Sequence, residues 1–363
     1  MKKILTVLIL GMCFMVTGCK DKHPVLENRM INGSVVVYNT NNNKPYTGEY
    51  NVTSYNKLND AYVITEKNSY KKGLKDGTCY IYSQDGVLEK KDIYIKGKLL
   101  TSNTYYENGQ LKIKYALGEN GKPMGPFETY YENGQLQSKG TIGELEEKIG
   151  IWEYYYENGQ LKTKENYNNG KLFGVNETYY ENGQLQIKVT YNDDGKLFGV
   201  NETYYENGQL QIRVTYNDDG KLFGVSEEYY ENGQLKIKKN YNDDGKLVGL
   251  FETYYENGQL KSKKNYNDSE KLFGVSEEYY ENGQLKSKEN YNENGKPVGI
   301  GEEYYENGKL KMKVVNSNQN GKPIVSVEVY YENGKLKMKN ILDENYKSIG
   351  IWEYYDENGK PLN

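Results

Sequence analysis

Histidine is nearly missing from these 363 residues, with His23 standing alone. Histidine triads and histidine-ligated metal sites are therefore excluded. Arginine is almost as scarce: Arg29 and Arg213 are the two among 47 basic residues. The 51 acidic residues leave a formal charge of −4, and the lysines alternate with glutamates rather than clustering. A surface that tracks phosphates needs a clustered basic excess, so nucleic acid is excluded as a partner. Cys13, Cys19 and Cys79 are too few for a disulfide framework. The apolar run within residues 1–18 is too short for a settled transmembrane span. No residue pattern calls for a cofactor.

What the chain does contain is tyrosine, 40 in all, and 39 glycines, eleven of them on a fixed period. The stretch YYENGQLK recurs with small edits at Gly109, Gly134, Gly159, Gly183, Gly208, Gly233, Gly258, Gly283, Gly308, Gly334 and Gly359. Successive spacings are 25, 25, 24, 25, 25, 25, 25, 25, 26 and 25 residues, the signature of a repeat architecture. A mean hydropathy of −0.92 would by itself suit a disordered polar chain. Regular alternation and regularly placed turns oppose that reading.

One repeat, residues 199–224, shows the design. Asn207-Gly208 between two alternating runs predicts a hairpin with a two-residue type I′ turn. That turn sets Glu206 opposite Gln209, Tyr205 opposite Leu210, and Glu202 opposite Arg213. The same register pairs Glu227 with Lys238 and Glu252 with Lys263, so one slip would uncouple every acid from its base. Leu210, Ile212, Val214 and Tyr216 are expected on one face, with Gln211, Arg213 and Thr215 on the other. An odd period requires one loop with an odd number of residues. Asn217-Asp218-Asp219-Gly220 fits a three-residue turn with Gly220 in the left-handed region. Both length variants fall in this second loop, at Asn168-Asn169-Gly170 and near Asn318. The fold class is therefore all-β: an elongated antiparallel array of hairpins, one layer thick, with no deep core. At about 4.8 Å per strand it would reach on the order of 100 Å.

Residues 1–18 read as a secretory signal peptide, and Val16-Thr17-Gly18-Cys19 resembles the lipobox of bacterial lipoproteins. The resemblance implies lipid attachment at Cys19, removal of the preceding peptide, and an acyl chain such as palmitate on the new N-terminus. Several buried acyl chains make a stable anchor where one does not. Lys20 follows the cysteine, where aspartate would imply retention at the inner membrane. The expected location is the cell envelope, at the outer membrane or cell surface. Residues 19–43 read as a polar tether, residues 44–100 as degenerate early repeats, and residues 101–363 as eleven hairpin repeats without an internal linker. Trp152 and Trp352 occupy the same repeat position.

The pattern Glu-x-Tyr-Tyr-Glu-Asn-Gly-Gln-Leu-Lys followed by Tyr-x-x-Gly-Lys resembles the MORN-repeat variant of bacterial proteins, a group that includes YwqK-like antitoxins. The resemblance spans residues 44–360 and implies hairpin repeats used as scaffolds or binding surfaces rather than enzymes. Recurrent glutamates face lysines, which favours cross-strand pairing over acid–base catalysis. The Asp-Asp-Gly turns lack the spaced ligands of a calcium loop. Tyr204, Tyr229, Tyr254, Tyr279 and Tyr304 form an aromatic row that could pack the sheet or grip a partner. Three functions follow as expectations. The first is a membrane-anchored surface for a protein partner, as in a scaffold or adhesin. The second is a glycan- or cell-wall-binding array, similar in style to choline-binding repeats but without their Gly-Trp steps. The third is an antitoxin or immunity protein.

Overall fold

A computed structural model describes residues 24–319 and 322–362. Residues 1–18, expected to form a signal peptide, and Cys19 lie outside the described residues. No helix occurs among those described, and the chain divides into two compact units, one ending at Leu172 and the other beginning at Phe173.

The first unit opens with a three-stranded sheet, Leu26–Ile31, Ser34–Asn39 and Lys44–Pro45. From Leu26 onward this replaces the polar tether expected over residues 19–43, of which residues 19–23 lie outside the described residues. Asn32-Gly33 has φ of 50° and 81°, a type I′ turn, and the β-branched run Val35-Val36-Val37 supplies the return strand. A meander follows, from the hairpin Gly48–Asn56 with Ala61–Lys71 to Lys171–Leu172. Its early strands include Gly77–Tyr82, Leu88–Ile95 and Lys98–Tyr105, which also pair antiparallel with their neighbours in sequence.

The second unit is a meander from Gly174–Tyr179 to Pro361–Leu362 in which strands adjacent in sequence pair antiparallel. Within the repeat strands Gly199–Tyr204 and Leu210–Tyr216, Glu202 faces Arg213 as the sequence predicts. The route to that register differs. Gly208 donates its N–H to the Tyr205 carbonyl at 2.9 Å, and Tyr205 donates to the Gln209 carbonyl at 2.8 Å. Gly208 has φ of 85°, whereas Asn207 is absent from the positive-φ residues. The loop therefore holds three residues, Glu206 to Gly208, in a type I turn closed by a glycine bulge.

That loop alone would set Glu202 against Ile212. A second bulge, between the Tyr204–Leu210 and Thr203–Ile212 pairs, restores the register by one residue. The expected pairs Glu206–Gln209 and Tyr205–Leu210 are thus replaced by Tyr204 opposite Leu210. Opposed side chains share a face, so Leu210 lies with Glu202 and Tyr204. Ile212 and Val214, opposite Thr203 and Asn201, lie on the other. The single-face alternation predicted for Leu210 and Ile212 fails at this bulge.

The second turn is the expected three-residue loop: Gly220 has φ of 76° and donates to the Asn217 carbonyl at 2.9 Å. Where that loop is one residue shorter, Asn169-Gly170 adopts the type I′ turn, with φ of 47° and 78°. Few apolar side chains are buried. Val37, Cys79 and Trp152 in the first unit and Val325 in the second are the buried hydrophobics among the described residues. Backbone pairing and polar contacts between repeats replace a core.

Candidate functional site

The feature that repeats most regularly is a line of charges on one face of the second unit. Within each hairpin an acid faces a base: Glu177–Lys188, Glu202–Arg213, Glu227–Lys238 and Glu252–Lys263. Between hairpins the same bases face the next acids, as in Lys188–Glu202, Arg213–Glu227, Lys238–Glu252 and Lys263–Glu277. The alternation continues through Lys288, Glu302, Lys313, Glu328 and Lys339 to Glu353. An inner charge thus meets an opposite charge on both sides, which the hairpin pattern alone did not reveal. Arg213 reaches Glu202 at 2.9 Å and Glu227 at 3.9 Å, and Lys288 reaches Glu277 at 3.0 Å. In the first unit the line runs from Lys114 through Glu128, Lys139 and Glu153 to Lys164. Exposed pairs of this kind are worth little singly, so they set register more than they add stability.

Both tyrosine rows spend their hydroxyls inside the array. Tyr204, Tyr229, Tyr254, Tyr279 and Tyr304 each donate to the ladder glutamate two residues earlier, at 2.7, 2.9, 3.0, 2.9 and 2.8 Å. Tyr205, Tyr230, Tyr255, Tyr280 and Tyr305 instead donate to backbone carbonyls of the following repeat, at 2.8–2.9 Å. Burial, and then the Glu202 hydrogen bond, push the Tyr204 hydroxyl up to about 12. Burial alone would raise the Glu202 carboxyl, but bonds from Tyr204 and Arg213 hold it below its ordinary value. At Glu277 the Lys288 hydrogen bond is the leading cause of a lowered value. Tyr205→Phe removes one inter-repeat bond without changing ring packing, and is expected to cost about 0.5–1.5 kcal/mol of stability in urea unfolding.

Three features escaped the sequence pattern. The first-turn asparagines join adjacent repeats: Asn207 Oδ1 accepts the Gln209 N–H at 2.8 Å, while its Nδ2 donates to the Glu231 carbonyl at 3.0 Å. Asn217 does the same at the second turn, donating to the Asp243 carbonyl at 2.8 Å. The Asp-Asp-Gly loops are thus built on turn chemistry. On the opposite face a second set of ion pairs forms, Lys236–Glu228 and Lys311–Glu303, both at 2.6 Å. In the first unit Lys148 Nζ lies 5.0 Å from the Trp152 ring, 5.1 Å from Tyr154 and 5.0 Å from Tyr167. This aromatic cage is filled by the chain's own ammonium.

Beside the ladder, two residues before its glutamates and on the same face, runs an aliphatic row. Val175, Val200, Val225, Leu250, Val275 and Ile300 are 37–49% exposed. No group of three or more metal-ligating side chains occurs among the described residues.

Comparison with known proteins yields one family. The model for the MORN repeat variant matches residues 101–115, 125–142, 148–169, 174–193, 199–218, 224–243, 247–268, 274–293, 297–316, 326–340 and 349–363. No curated protein matches the chain. Among solved structures, the crystal structure of TcdB2-TccC3-Cdc42 aligns with 91% of this chain and 20% of that one, at 11% identity and a TM-score of 0.18. This chain therefore spans about a fifth of that one. CbpJ from Streptococcus pneumoniae TIGR4 aligns over 85% of this chain and 91% of its own, at 13% identity and a TM-score of 0.15. The eleven matched segments follow the hairpin period through more than half of the sequence, and the chain belongs to the MORN repeat variant family.

Proposed function

We propose that the protein is a non-enzymatic scaffold whose ladder face docks another protein, held at the cell envelope by lipid on Cys19. The observation that carries the protein-binding reading is the half-exposed row Val175, Val200, Val225, Leu250, Val275 and Ile300 beside alternating charges. Apolar positions lined by charges of both signs suit a protein surface better than a glycan, whose hydroxyls need free polar groups. The tyrosine hydroxyls that would serve a glycan are already engaged within the array. A catalyst needs one module unlike its neighbours, and these modules share one pattern. The anchor rests on Val16-Thr17-Gly18-Cys19, and the outer membrane or cell surface on Lys20.

Repetition favours avidity, because identical modules engage a partner several times over. The test is cross-linking of the full chain in intact envelopes, followed by identification of the captured protein. Val200→Lys, Val225→Lys and Val275→Lys together should reduce capture of one defined protein by about tenfold, the scale of a lost hot spot. Deleting repeats in pairs should reduce it by degrees. Undiminished capture by the triple variant, or retention on a glycan array instead, would overturn the reading.

A further inference from the structure

The ladder line of the first unit does not end at Lys114. Direct opposition carries it on through Asn103, Lys91, Tyr80 and Lys67 to Asn51. Opposed side chains share a face, so these residues extend the row of Glu128, Lys139 and Glu153. Every base position is kept, as Lys67, Lys91 and Lys114. Every acid position is lost, to Asn51, Tyr80 and Asn103. Lys114 still reaches Glu128 at 3.0 Å, but Lys67 and Lys91 form no ion pair among the described residues.

The phenols carry the same gap. Tyr130 and Tyr155 each donate to the glutamate two residues earlier, both at 2.7 Å. Tyr82 and Tyr105 hold the matching place after Tyr80 and Asn103, across the same bulge, and neither hydroxyl is hydrogen-bonded. Lys67 Nζ lies 5.5 Å from the Tyr82 ring, and Tyr80 stacks on that ring at 6.3 Å. Asn103 Oδ1 is buried without a hydrogen-bond partner, so it satisfies neither lysine beside it. Glu49, two residues before Asn51, stands opposite Ser69 rather than a base. Glu89 falls at the bulge, where the matching Lys236 pairs on the opposite face. Thr78 and Thr101 take the places that Val175 and Val200 hold in the aliphatic row.

We propose that this stretch of the ladder binds an acidic polypeptide whose carboxylates occupy the places of the missing glutamates. The array itself shows what fits there: Glu128 is held by the Lys114 ammonium and by the phenol of Tyr130. The donors at the gap are the same, with Lys67 and Lys91 beside it and Tyr82 and Tyr105 two residues on. Tyr80 and Asn103 lie two strands apart, about 10 Å. A polyproline II chain turns once in three residues, about 9.3 Å, so an acid at every third position meets both gaps. Threonines in place of aliphatics make the surface polar, unlike the row from Val175 to Ile300. The two surfaces are separate, and this one does not depend on the function proposed for the other.

Fluorescence anisotropy of the full chain with a labelled peptide of four Glu-Pro-Pro units tests the proposal. The same peptide with glutamine for glutamate is the neutral control, and labelled dextran sulfate is a polyanion of another class. The acidic peptide should bind, less tightly as salt is raised, and the neutral one should not. Lys67→Gln with Lys91→Gln should weaken binding by about tenfold or more, the scale of lost charge-assisted contacts. Tyr80→Glu with Asn103→Glu rebuilds the ladder; it should keep the far-ultraviolet dichroism of the parent and abolish peptide binding. Lys57→Gln with Lys271→Gln, at exposed sites elsewhere, should leave binding unchanged. The proposal is overturned if the acidic peptide binds no better than the neutral one, or if the rebuilt ladder still binds it. It is also overturned if the control pair weakens binding as much as the ladder pair, or if dextran sulfate alone binds through Lys67 and Lys91.

Discussion

Trp152→Ala is expected to destabilise the first unit by about 3–5 kcal/mol, the range for truncating a buried tryptophan. Trp152 is only 3% exposed. Its indole covers Gly140, where an added β-carbon would lie 2.2 Å from Cδ2. Its Nε1 donates to the Thr141 carbonyl at 3.1 Å, and its ring stands 5.9 Å from Phe127 and 6.2 Å from Tyr154. A sheet with so few buried apolar groups has little nearby to collapse into the space, so the cavity term should be felt in full. Lys148 would also lose one wall of its cage. Gly140→Ala should destabilise the same unit by overpacking, by about 1–3 kcal/mol. Trp352 occupies the same repeat position but is 39% exposed. Trp352→Ala should cost less than half as much, because less surface returns to water. Urea unfolding followed by far-ultraviolet dichroism measures all three variants. Equal losses for the two tryptophans would contradict this account.

The second large effect is alkaline unfolding. Tyr130, Tyr179, Tyr204, Tyr254, Tyr304 and Tyr330 are all pushed up to about 12, first by burial and then by a hydrogen bond to the glutamate two residues before. Their folded values lie above the ordinary 10.0, so the fold favours the neutral phenol. This contribution is fully present below pH 10 and is lost as pH rises through about 12. Many equivalent tyrosines act together, so the loss should be steep. Tyrosinate absorbance and dichroism should change in one step within that window. Early, gradual ionisation with the sheet intact would show that the hydroxyls are not held as described. Acid acts in the opposite sense. The lowered carboxyls of Glu202 and Glu277 contribute above the ordinary value of 4.5, and that contribution fades as pH falls through their folded values.

Much of this architecture was readable from residues alone, for identifiable reasons. The period and the Glu–Lys offsets located the hairpins, since Glu202 can meet Arg213 in only one register. The turn type was not readable, because Asn-Gly serves both a two-residue turn and a three-residue turn with a glycine bulge. A compensating bulge near Gln211 makes the two indistinguishable at Glu202 while moving Leu210 to the other face. The asparagine columns were hidden because Asn207 and Glu231 meet only once repeats are stacked. The sheet at residues 26–45 was missed because polar neighbours masked Asn32-Gly33 and the valines after it. Lys148 gave no signal, since Trp152, Tyr154 and Tyr167 converge on it only once the strands are paired.

The most direct test of the register is cysteine cross-linking under mild oxidation, with the bridged peptides identified by mass spectrometry. Directly opposed residues lie about 4.5–5.5 Å apart at Cα, within disulfide reach. Glu202→Cys with Arg213→Cys should close readily, and so should Arg213→Cys with Glu227→Cys. Closure of Glu202→Cys with Ile212→Cys in their place would mean that the bulge is absent and that acid does not face base.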